Sequence, residues 1–161
     1  MKDDLVDRLI IEWKREWPNL DAQPMQVAGR ILILGKALVK RAGNSLKNSG
    51  ISYTDLKVLD TLRRSGHPFE LSPKLIMDSV LITSGALTAL LGRLTKIDLI
   101  YRSPDPLDGR IKKAGLTKKG ILVLDDAIKI RFEEAKDSVK GLTEKEKQQL
   151  IPLLKKLLNS L

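Results

Sequence analysis

The chain has 161 residues, 42% of them hydrophobic, with a formal net charge of +9 and a pI near 9.8. This length and composition bury one sizeable core, and the charge favours a polyanionic partner such as nucleic acid or an acidic surface. The absence of cysteine excludes disulfides, thiolate metal sites and cysteine nucleophiles, and a single histidine, His67, cannot build a His-rich metal site.

From Asp4 to Trp17, the residues Leu5, Leu9, Ile10, Trp13 and Trp17 recur at helical spacing, with Asp4 placed to cap the helix and Pro18 to end it. A second helix runs from Pro24 to about Leu46 through Val27, Ile31, Leu34, Leu38 and Ala42, and stops at Asn48, Ser49 and Gly50. Ser52 and Asp55 form a near capping box for a third, carrying Leu56, Leu59 and Leu62 and closed by Ser65, Gly66 and Pro68. Ser72 and Pro73 open a short fourth helix with Leu75, Ile76 and Val80.

Thr83 caps a fifth helix whose inner face is Leu87, Leu90, Leu91 and Leu94, leaving Ser84, Gly85, Thr88, Ala89, Gly92 and Arg93 outside. Leu99 to Arg102 reads as a strand, Ser103 to Arg110 as a turn rich in Pro, Asp and Gly, and Ile111 to Leu116 as the returning strand. Thr117 then starts a long helix through Leu122, Leu124, Ile128, Phe132 and Val139, broken at Gly141. Thr143 and Glu146 form the capping box of a last one with Leu150, Leu153, Leu154, Leu157 and Leu158.

Two short helices feeding a charged hairpin is the order of a winged helix-turn-helix that reads duplex DNA. The expected fold is therefore mainly α with a small β-hairpin wing, in a single domain over residues 1–161. Residues 50–120 form its DNA-binding part. The first and last helices carry more apolar surface than peripheral helices leave exposed, so residues 1–47 and 121–161 are expected to form a two-fold homodimer. Such a dimer places two recognition helices ~34 Å apart on a palindromic site.

Charge supports this placement, since eight basic residues and three acids lie between Arg93 and Lys119. With the fifth helix in the major groove, Ser84, Gly85 and Thr88 face base edges, and the amides behind the Thr83 cap can hold a phosphate. Arg93, Lys96 and Arg102 have the reach to hold phosphates, and Lys112 and Lys113 alternate, so only one of them faces the duplex. Arg110 is the candidate for minor-groove insertion, braced by Asp108. The outer face lacks Arg, Asn or Gln suited to bidentate base contacts, so specificity leans on DNA shape. The same feature leaves an architectural or nonspecific DNA-binding module as the alternative.

An enzyme is disfavoured. There is no histidine-containing triad, metal cluster or G-x-x-x-x-G-K loop, and Asp105 and Asp108 sit on a turn without a supporting shell. No cofactor or metal is expected. No stretch nears the roughly twenty apolar residues of a membrane span, and the acidic N-terminus is unlike a signal peptide, so a cytoplasmic protein is expected.

Over nearly its whole length the sequence resembles the MarR family of winged-helix transcription regulators. The resemblance rests on Thr83-Ser84-Gly85-Ala86-Leu87-Thr88, Arg93-Leu94, Leu99-Ile100-Tyr101-Arg102, Asp105-Pro106-Leu107-Asp108-Gly109-Arg110 and Leu116-Thr117-Lys118-Lys119-Gly120. It implies a homodimer built by the terminal helices, binding to palindromic operators, and repression relieved by a small anionic or phenolic effector. The stretch with Trp13, Asp21, Pro24, Met25 and Gly29-Arg30 is similar to a branch that includes urate-responsive regulators. Trp13 and Arg102 fall where that branch places ligand residues, whereas Lys57 replaces an acid and Leu90 an arginine. That pattern implies an anion other than urate, with Lys57 and Arg102 supplying charge.

Overall fold

The structure, a computed structural model, describes residues 3–105 and 112–161. Its elements follow the expected order, and the chain divides inside α2 into two compact units, the first ending at Arg41 and the second beginning at Ala42.

In the first unit, α1 (Leu5–Glu16) begins at a capping box. The Asp4 carboxylate accepts from the amides of Val6 and Asp7 at 2.7 and 3.1 Å, and the Asp7 side chain accepts from the Asp4 amide at 3.0 Å. Arg30, on α2 (Gln23–Ser45), donates to Asp4 and Asp7 at 2.8 and 2.7 Å and ties the two helices together. The Asp4 amide and then Arg30 hold the Asp7 carboxyl below its ordinary range. Val6, Ile10 and Ala22 make the small core, with Val6 seated against Gly29. Of the expected α1 stripe only Ile10 is buried; Leu5, Leu9, Trp13 and Trp17 remain exposed, because a two-helix unit covers one narrow contact line.

The second unit is built on α3 (Tyr53–Arg64), which buries Leu56, Val58, Leu59 and Leu62. Against them lie Ile76 and Val80 of α4 (Pro73–Val80), Leu87, Leu91 and Leu94 of α5 (Ser84–Lys96), and Leu124 and Ala127 of α6 (Lys118–Ser138), all in one hydrophobic cluster. The wing is larger than the expected hairpin. A two-residue strand, β1 (Glu70–Leu71), pairs with β3 (Lys112–Leu116), which also pairs with β2 (Ile100–Pro104), giving an antiparallel sheet in the order β1-β3-β2. Two residues carry no periodicity, so β1 was invisible to hydrophobic patterning.

A polar lock joins the end of α5 to the start of α6. Asp98 adopts a left-handed conformation, φ 62°, and its carbonyl accepts from the Thr117 hydroxyl at 2.7 Å. The same hydroxyl accepts from the Gly120 amide at 2.9 Å, and the Lys119 ammonium donates to the Ile97 carbonyl at 2.8 Å. Gly120 is required by close approach, since a side chain there would overlap the Leu99 carbonyl.

The last helix, α7 (Glu144–Leu158), starts at the expected capping box, in which Glu146 accepts from the Thr143 amide and hydroxyl, both at 2.7 Å, and its carboxyl is held below the ordinary range. None of its residues is buried. No single described helix is long and apolar enough to cross a membrane.

Gly120→Ala is expected to cost about 1–3 kcal/mol by overpacking, read as a lower urea midpoint. Gly43→Ala, with open space at its Cβ position, is expected to leave the midpoint unchanged or raise it.

Candidate nucleic-acid interface

Two adjacent helices are set at an angle by their caps. Ser72 accepts from the Leu75 amide at 3.5 Å, and Pro73 occupies the first turn of α4, where no amide donor is needed. The helix ends at Leu81, which is left-handed (φ 57°) and donates its amide to the Met77 carbonyl at 2.9 Å. The chain turns, Thr83 caps α5 by accepting from the Ala86 amide at 3.4 Å, and α5 leaves at 111° to α4. That crossing lies within the helix-turn-helix range of about 90–120°.

The two faces of α5 are chemically distinct. Leu87, Leu91 and Leu94 anchor it in the core, while Ser84, Gly85, Thr88, Ala89, Gly92, Arg93 and Lys96 are exposed. The Thr88 hydroxyl donates to the Ser84 carbonyl at 3.0 Å, which leaves its oxygen with capacity to accept. Nothing lies within 4 Å of a Cβ built on Gly85 or Gly92, so the backbone there is open to close approach.

Arg93 has a different setting from the one expected. Its guanidinium pairs with Asp55, whose side chain is 1% exposed. The Asp55 carboxylate also accepts from the Ser52 amide and hydroxyl at 2.7 and 2.8 Å, completing the capping box of α3. One buried carboxylate therefore caps α3 and holds α5 beside it. The capping spacing was readable in the sequence; the partner 38 residues away was not.

In the wing, Arg102 donates to the Lys112 carbonyl at 2.8 Å, across the β2–β3 pair, and partial burial lowers its guanidinium pKa from the ordinary value. Lys112 is exposed, and Lys113 pairs with Asp105 at 3.2 Å. Asp108 and Arg110 lie outside the described residues.

Arg102 also lines a cavity of about 510 Å³ between α4 and α5, with Lys74, Met77, Ser84, Thr88, Leu91 and Thr95 among its other walls. Lys57 is committed elsewhere: its ammonium donates to the Val80 carbonyl at 2.8 Å and caps α4. Trp13 lines an apolar cleft of about 500 Å³ within the first unit, beside Leu9, Met25 and Asp21. Among the described residues no group of His, Cys, Asp and Glu side chains is arranged to hold a metal ion.

A capped helix-turn-helix with an anchored second helix and an adjoining three-stranded wing defines a winged DNA-binding regulator. A model of the MarR family matches residues 49–111. The HTH-type transcriptional regulator YkoM of Bacillus subtilis is 32% identical over 121 residues, covering 75% of this chain and 77% of that protein. The HTH-type transcriptional regulator PecS of Dickeya dadantii is 28% identical over 149 residues, 92% of this chain and 90% of its own. The apo crystal structure of wild-type MarR from E. coli superposes with a TM-score of 0.73 at 25% identity, covering 82% of this chain and 96% of that one. The chain belongs to the MarR family of winged helix-turn-helix regulators; it is a DNA-binding transcription regulator.

Removing Arg93 leaves the Asp55 carboxylate buried without its cation. Arg93→Ala is expected to cost about 3 kcal/mol in urea unfolding. Combined with Asp55→Ala it should cost less than the sum of the single losses, since the two residues act as one pair.

Proposed function

We propose that the protein is a homodimeric, sequence-specific repressor that binds a palindromic operator and is released by a small anionic or phenolic effector. The observation that carries the reading is the divided character of α5, three leucines holding it in the core while small polar side chains at its start stand free. Thr83, Ser84, Gly85 and Thr88 take the major groove, with Lys96 and Lys112 on phosphates. Arg93 contributes indirectly, through the placement of α5. Arg110 takes the minor groove, with Asp108 bracing it. Residues 50–120 form the DNA-binding part, in a protein acting in the cytoplasm.

Exposed apolar side chains support the dimer. In α7, Leu150, Leu153, Leu154, Leu157 and Leu158 are exposed, as are Leu9, Trp13, Leu34 and Leu38 of α1 and α2. Residues 1–47 and 121–161 therefore make the subunit contact. The effector reading rests on the α4–α5 cavity, whose size falls in the usual ligand range of about 300–1,000 Å³. Its walls combine apolar surface, the cations Arg102 and Lys74, and two threonine hydroxyls. Ser84 and Thr88 also belong to the DNA-facing side, so an occupant there competes with the duplex for the same helix.

The test begins with a footprint on the DNA upstream of the protein's own coding sequence. A duplex carrying that footprint should bind two chains, with log affinity falling linearly with log salt concentration. Arg110→Ala should weaken binding about tenfold, the scale of one good contact of ~1–3 kcal/mol. The absence of Arg, Asn and Gln from the outer face of α5 favours a second reading, an architectural module. Equal affinity for the footprint and a random duplex at matched salt would establish that reading and sink the repressor.

Effector control has its own expected result. Among a panel of aromatic carboxylates and phenols, at least one should displace the footprint duplex from the native chain, and Arg102→Ala should blunt that displacement. Displacement that is equal in both proteins places the effector elsewhere.

A further inference from the structure

The three strands of the wing carry one residue row unlike any other in the sheet. Glu70 on β1 stands opposite Gly115 on β3, and Gly115 stands opposite Tyr101 on β2. Having no side chain, Gly115 lets the tyrosine ring lie across the central strand. A Cβ at that position would come within 2.5 Å of Tyr101 Cζ and 2.8 Å of Glu70 Cγ. The Tyr101 hydroxyl reaches over and donates to Glu70 Oε1 at 2.7 Å, and the Ser103 hydroxyl donates to the same oxygen at 3.1 Å. Both donors belong to the outer strand, and the acceptor belongs to a strand two places away.

The position of the acceptor gives the row its meaning. Glu70 lies three residues before Pro73, the first residue of α4, so β1 is continuous with the helix-turn-helix. Strands β2 and β3 lead away toward the tip between them. Backbone pairing joins β2 to β3 and β3 to β1, but β2 and β1 are not neighbours. Pairing by backbone alone leaves the twist between adjacent strands variable over roughly 25°. A side-chain bridge spanning all three strands fixes that twist at the base of the wing, and with it the direction in which the wing leaves the body.

We propose that Tyr101, Glu70 and Ser103 form a positioning clamp that sets the angle of the wing on DNA, with Gly115 as the gap that lets it close. The clamp rests on the DNA-binding reading above and adds residues that touch no base or phosphate. Its hydrogen bonds end on a carboxylate, which makes them stronger than neutral ones. In agreement with this, the bond to Glu70 raises the pKa of the Tyr101 hydroxyl above the ordinary phenol value.

The experiment uses the full chain, the footprint duplex, and the variants Tyr101→Phe, Ser103→Ala and Lys112→Ala. Tyr101→Phe keeps the ring over Gly115 and removes only the bond to the carboxylate. It should weaken binding about tenfold and reduce the slope of log affinity against log salt by about one, as a lost phosphate contact does. Lys112→Ala alone should do the same, and the double variant should do no worse than either single one. Ser103→Ala should act in the same direction with a smaller effect. In the free protein, Tyr101→Phe should speed amide exchange in β2 and β3 while leaving α3 to α5 unchanged.

Additive losses in the double variant, or a weaker affinity with an unchanged salt slope, would reduce the row to a stability element and overturn the clamp. Weakening by Lys112→Ala with none by Tyr101→Phe would overturn the clamp alone. No effect from either variant would overturn the placement of the wing on DNA, and the clamp with it.

Discussion

The carboxylate of Asp55 is the interaction on which the reading head depends. It is fully buried, and its charge is tolerated because every direction around it is filled: the Ser52 amide and hydroxyl on one oxygen, the Arg93 guanidinium on the other. A pair with one buried and one half-exposed partner contributes less to net stability than to geometry, since breaking it strands the buried charge. Here the geometry is the placement of α5 against α3. The leucines of α5 hold the helix in the core but do not fix its rotation, because a leucine stripe packs acceptably over a range of rotations. A directional ion pair at one end removes that freedom.

A second set of polar contacts acts just beyond the same end, where α5 leaves into the wing. The Thr117 hydroxyl, the Lys119 ammonium and the bare Gly120 backbone grip the carbonyls of Ile97, Asp98 and Leu99 as α5 ends. The Leu-Thr-x-x-Gly segment, in sequence only a familiar spacing, therefore has a mechanical role. It anchors the exit of the recognition helix to the start of the long helix α6. Held by both sets of contacts at its C-terminal end, α5 presents its polar face in one orientation.

Local chemistry made most of this legible in the sequence. Caps at Asp4, Ser52, Ser72, Thr83 and Thr143 marked five helix starts, because a side chain that satisfies amides two or three residues ahead leaves a short-range signature. The leucines of α5 divided its faces for the same reason. What escaped was non-local or too short to be periodic. Strand β1 has two residues, the Asp55–Arg93 pair spans two helices, and the Lys57 ammonium turns out to cap a helix 23 residues away. The α1 stripe was legible as a face that seeks cover, but amphipathic spacing does not say whether the same chain supplies that cover. Trp13 and Trp17 remain exposed for that reason.

The same want of cover marks α7, which buries none of its 15 residues. An isolated helix of this length is marginal in water, and most helical stability in proteins comes from packing of the apolar face. Under the proposed pairing, its order is supplied by another molecule, so folding at the C-terminus is a second-order process governed by mass action. The integrity of the regulator then rises with its own abundance. A cell that makes little of it has a protein that is both scarcer and less completely folded, so dosage enters twice into the occupancy of the operator.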